Sequence, residues 1–151
     1  MTGSPPHPGF AWIGGASIVA GGLVAAVTGP LSLERGSWLA AYLVLVSGVA
    51  QLALGTGQAR LSTAPSGRRI VLAELVSFNL GNAAVIAGTL AGMPIILDAG
   101  GLLLVIALAC FIAAVRGSRS GPRWPLWVYR ALIAILLVSI PVGLVIARLK
   151  A

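Results

Sequence analysis

Apolar residues along this chain come in five runs of about twenty, separated by short stretches of Gly, Pro, Ser and Arg. The runs cover about 10–29, 36–57, 70–92, 95–115 and 126–147. About twenty residues at 1.5 Å each cross a hydrocarbon core ~30 Å thick. The pattern therefore predicts an all-α fold, a polytopic integral membrane protein built as a bundle of five transmembrane helices. Residues 10–149 form a single transmembrane domain, and the Pro-rich residues 1–9 a flexible tail. Gly29-Pro30 closes the first run. Met93-Pro94 leaves almost no chain between the third and fourth, which predicts an antiparallel hairpin. Pro141 falls inside the fifth and should kink it. Trp38, Trp124 and Trp127 stand at run ends, where the membrane interface favours them.

Composition agrees with that solvent. Of the 151 residues, 58% are hydrophobic and only 9% are charged, against roughly 25% charged in a water-soluble domain. The net charge of +7 would suggest nucleic acid in a soluble protein, but no basic run here interleaves with aromatics, so no nucleic-acid partner is expected. The bilayer itself is the first partner, since arginines in short loops meet anionic head groups and set orientation. Arg60, Arg68, Arg69, Arg116, Arg119 and Arg123 share one side, against Arg35, Arg148 and Lys150 on the other. The expectation is a cell membrane, bacterial and cytoplasmic, with the N-terminus inside and the C-terminus exported. A cleaved signal peptide fits the first run poorly, because the tail before it carries no Lys or Arg.

Polar residues inside the runs are the candidates for chemistry. Glu74 and Arg130, on runs entering from the Arg-rich side, and Gln51, on a run leaving there, each lie roughly four to six residues from that end, or ~6–9 Å deep. With Asn82 they form a candidate polar layer. Two opposite charges at one depth would lower the cost of placing either in lipid, so a Glu74–Arg130 clamp is expected. On the opposite side Asp98 has Arg35 and Arg148 as candidate ion-pair partners. Ser17, Gly21, Ala25 and Gly29 recur every four residues and form a candidate helix-packing face. Ser47, Gln51, Gly55 and Gln58 share a face of the second run, and Glu74, Ser77, Gly81 and Gly88 one of the third.

No catalytic, cofactor or metal set is assembled. His7, the single histidine, lies in the tail, and Cys110 is the single cysteine. That leaves no zinc or copper ligand set, no haem ligation pattern and no Ser-His-Asp triad. No Walker loop, GxGxxG or CxxC occurs. The first expectation for function is a non-enzymatic membrane protein, a small structural or accessory subunit or a homo-oligomer. A small-molecule or ion transporter using the polar layer is the second. A lipid-modifying enzyme with Glu74 as base is the third.

Overall fold

The computed structural model describes residues 7–61, 67–115 and 123–149. The regular elements among them are all helical: α1 (Pro8–Thr28), α2 (Gly36–Tyr42), a π-helical segment (Leu43–Ala50), α3 (Gln51–Leu61), α4 (Arg68–Ala91), α5 (Pro94–Ala114) and α6 (Arg123–Leu149). α2, the π segment and α3 follow one another without a break. Five helical stretches are thus long and apolar enough to cross a membrane. Large apolar side chains stand on their outer surfaces, among them Val19, Leu45, Val76, Ile95, Leu102, Ile135 and Val138. Apolar surface on that scale suits lipid and not water.

The boundaries shift from the sequence expectation for local reasons. α1 starts at Pro8, because proline fits the first helical position, and the His7 Nδ1 accepts the Gly9 N–H at 3.2 Å. The second stretch runs to Leu61, since Gln58, Ala59, Arg60 and Leu61 are good helix formers. α4 ends on Gly92 in the left-handed region (φ 65°), and the Met93 N–H reaches the Gly88 carbonyl at 2.8 Å. Pro94 then opens α5. α6 runs through Pro141 to Leu149. Arg116, Arg119, Lys150 and the side chains of Arg123 and Arg148 lie outside the described residues.

Contacts gather into two units, one over Pro6–Thr56 and one over the helices from Gly57 onward. In the first, α1 packs along α2 and the π segment. A methyl added at Gly21 would meet Val44 Cγ2 at 2.7 Å and the Ala40 carbonyl at 2.9 Å, and one at Gly14 would meet Leu52 Cγ at 2.9 Å. Gly55 lies against the Phe10 ring. Positions descend on one strand of this pairing as they ascend on the other, so the unit is an antiparallel helical hairpin. Its connection carries Ser32 at φ 49°.

In the second unit α4 packs on α5, and α5 on α6. A methyl at Gly88 would stand 2.5 Å from the Leu97 nitrogen, and one at Gly100 would stand 2.7 Å from the Val85 nitrogen. α4 and α5 therefore form the antiparallel hairpin that Met93-Pro94 predicts. Phe78 and Phe111 meet edge to face, with centroids 6.3 Å apart.

Candidate functional site

In lipid a polar side chain must find its hydrogen bond inside the protein. Most of those in the spans do so by turning back on their own helix. Ser17 donates to the Ile13 carbonyl, Thr28 to Val24, Thr56 to Leu52, Ser77 to Ala73, Asn79 to Leu75, Asn82 to Phe78 and Ser139 to Ile135. A group satisfied this way asks nothing of a ligand. The exceptions mark the candidate sites.

The first exception is Glu74. The residue is 1% exposed, and the Gln58 Nε2 donates to Oε2 at 2.9 Å and to Oε1 at 3.1 Å. Gln58 is itself buried. The preceding residue, Gly57, lies under the Tyr129 ring, where any β-carbon would run into Cδ2 and Cε2. Two neighbouring positions at the end of α3 thus hold α4 through a hydrogen bond and α6 through a ring contact. The Tyr129 ring is buried, and its hydroxyl has no hydrogen-bond partner. One turn along α4 from Glu74, the buried Phe78 meets the buried Phe111 of α5.

The second exception lies in the other unit. Ser47 and Gln51 are 3% and 0% exposed. Neither the hydroxyl nor either end of the amide has a partner. They sit one turn apart, Ser47 within the π segment and Gln51 just after it. There the backbone bonds reach one residue further back than in an α-helix, so the turn-back bond used elsewhere loses its register.

The candidate polar layer is distributed as follows. Glu74 is joined to Gln58, not to Arg130, whose side chain is exposed. No ion pair links Glu74 and Arg130 among the described residues. Asn82 is buried two turns along α4, ~12 Å from Glu74 along the axis. Gln51 belongs to the first unit. Asp98 is half-buried near the start of α5, and Arg35 is exposed at the start of α2. On the packing face Gly21 is buried and Ser17 half-buried, while Ala25 and Gly29 are exposed. The residues that fill the hairpin from α1 are Phe10, Gly14 and Gly21. A strict four-residue spacing turns by ~40° at each step on a 3.6-residue helix, so it winds away from a seam that repeats near 3.5.

α1 carries a further feature. Its glycines come doubled, Gly14-Gly15 and Gly21-Gly22, seven positions apart. The first of each pair is filled by the hairpin. A methyl at Gly15, Gly22 or Gly29 would meet nothing within 4 Å. These three repeat every seven residues along the outer face.

Among the described residues, no three His, Cys, Asp or Glu side chains come together as a metal site. Gln58 and Tyr129 are the parts that sequence reasoning did not assign to Glu74. Gln58 was legible only as one of a polar face with Ser47 and Gln51, and Tyr129 only as a neighbour of Arg130. Compared with family models, curated proteins and solved structures, the chain matches none of them.

Proposed function

We propose that the protein is a non-enzymatic component of a cell membrane, a small subunit that assembles with copies of itself or with another membrane protein through the outer face of α1. The observation that carries this reading is the open line of Gly15, Gly22 and Gly29 beside the occupied line of Gly14 and Gly21. Without a hydrophobic force between helices in lipid, association depends on close backbone approach, which small residues permit. The arginine asymmetry supports a cytoplasmic N-terminus and an exported C-terminus.

The test is energy transfer between labelled copies in vesicles, together with identification of companions after mild detergent extraction. Gly22→Leu should abolish energy transfer or remove the companions, and should leave the fold intact because the position is open. Gly21→Leu should instead unfold the hairpin, since its side chain has no room. Unchanged association in Gly22→Leu would show that this face meets only lipid.

Transport is the second reading, and one observation favours it. Glu74 is a buried intramembrane carboxylate with an amide, not a cation, as its partner. Such a group is a natural place for a transported charge to dwell. Proton or cation flux into vesicles that is lost in Glu74→Gln would favour it over the assembly reading.

A further inference from the structure

The contacts at the end of α3 fix more than Glu74. Because Gln58 bonds Glu74 and Gly57 carries the Tyr129 ring, positions 57–58, 74 and 129 lie at one level of their helices. Glu74 and Tyr129 each lie about six residues inside the start of their own helix, or ~9 Å. Arg130 therefore shares the depth of Glu74, yet its side chain is exposed while Glu74 is buried.

The surroundings of Arg130 are those of a lipid-facing group. Three and four residues away on the same face of α6 stand Trp127 and Ala134, both exposed, and Ile135 beside them is exposed too. No carboxylate pairs with Arg130 among the described residues. A guanidinium facing lipid below the interface without an anion is costly. Its side chain leans toward the start of its own helix, which is the end where Trp124 and Trp127 are exposed. That lean carries the charge outward to the level of lipid phosphates. Exposed Arg60, Arg68 and Arg69 stand at the same end, in the last turn of α3 and the first turn of α4. They add a positive field that favours anionic over zwitterionic lipid.

We propose that Arg130, flanked by Trp127 and backed by Arg60, Arg68 and Arg69, is a binding site for the phosphate of an anionic phospholipid in the leaflet at this end of the helices. A guanidinium grips a phosphate through two parallel N–H bonds, which a lone ammonium does not match. Trp127 holds the same helix face at the glycerol level. The inference rests on the membrane reading and is independent of the assembly face on α1.

The test uses the full chain with Trp12→Phe and Trp38→Phe, so that Trp124 and Trp127 report. The protein is placed in vesicles mixing phosphatidylcholine and phosphatidylglycerol, with either lipid brominated, and tryptophan quenching gives the relative affinity of the two at this surface. Phosphatidylglycerol should be preferred about fivefold. Arg130→Gln should remove most of this preference and leave only the part that Arg60, Arg68 and Arg69 supply, Arg130→Lys should leave an intermediate value, and Arg35→Gln should change nothing. A preference undiminished in Arg130→Gln would overturn the site, as would one reduced equally in Arg35→Gln. Equal quenching by both lipids in the parent protein also overturns it and leaves the membrane reading intact. Quenching by neither lipid overturns both.

Discussion

The two helical hairpins use glycine differently. In both, one pair of glycines faces across the interface. A methyl at Gly14 would stand 3.2 Å from the Gly48 carbonyl, and a methyl at Gly48 equally close to that of Gly14. Gly81 and Gly100 are related in the same way, at 3.1 and 2.9 Å. The hairpins differ in what else stands nearest to their glycines. Glycines of the first are sockets for side chains: Gly14 receives Leu52, Gly21 Val44, Gly48 Ile18 and Gly55 Phe10. In the second, Gly81 also receives a side chain, that of Leu104, but Gly88 and Gly100 face the backbone nitrogens of Leu97 and Val85. The connections account for the contrast. Residues 29–35 let the first pair of helices separate enough for side chains to interleave. Gly92 and Met93 alone join α4 to α5, so the helices leave the turn nearly touching.

This contrast is open to a direct break. A side chain can rotate away from an added methyl, but a main-chain nitrogen moves only with its helix. Gly88→Ala should therefore destabilise the protein by about 2–3 kcal/mol, because the α4/α5 pair must spread. Gly14→Ala should cost less, since Leu52 can give way and alanine recovers part of the ~1 kcal/mol that glycine forfeits in a helix. Unfolding of each variant in detergent measures the order. Equal losses would mean that the two hairpins are equally rigid and that the turn does not set the approach.

The hairpins also differ in how their polar groups are settled, and the next effect sharpens that. The Gln58–Glu74 bond joins α3 to α4, so Gln58→Leu and Glu74→Gln should each destabilise. The double variant should cost less than the sum, by a coupling of ~1 kcal/mol, typical of buried polar contacts in membranes. Glu74→Gln and Arg130→Gln should simply add. A coupling between Glu74 and Arg130 as large as that with Gln58 would move the partner of Glu74 from α3 to α6.

Why Gln58 and not Arg130 was hard to read has a geometric answer. The run lengths, Met93-Pro94 and the glycine stops make the five spans and the second hairpin legible, because each acts along the axis of a helix. Depth is likewise an axial quantity, and it places Glu74 and Arg130 at one level. Rotation about the axis is a separate coordinate. Tyr129 and Arg130 differ by one residue, ~100° on the helix, and only packing decides which turns inward. Gly57 decides it here by leaving room for the Tyr129 ring. Gln58 lies just past the end of the apolar run, although the residues that follow favour helix. The π segment has no marker that sequence reasoning could use: no proline interrupts 43–50.

The smallest expected effect concerns Gln51. Gln58 and Gln51 are both buried amides in α3, yet one holds a carboxylate and the other has no partner at either end. Removing an amide that makes a bond leaves Glu74 unsatisfied, so Gln58→Leu should be costly. Removing an amide that makes none relieves a desolvated polar group and puts a side chain of similar size in its place. Gln51→Leu should therefore leave stability unchanged or raise it by up to ~1 kcal/mol. Ser47→Ala should behave alike, as its hydroxyl is equally unpartnered. Thermal unfolding in detergent, read for the three variants side by side, gives the ranking. If Gln51→Leu destabilises as much as Gln58→Leu, then Gln51 is bound in the membrane to a water molecule or a polar ligand. The first hairpin would then be as fully satisfied as the second, and its π segment would be the place to look for what is bound.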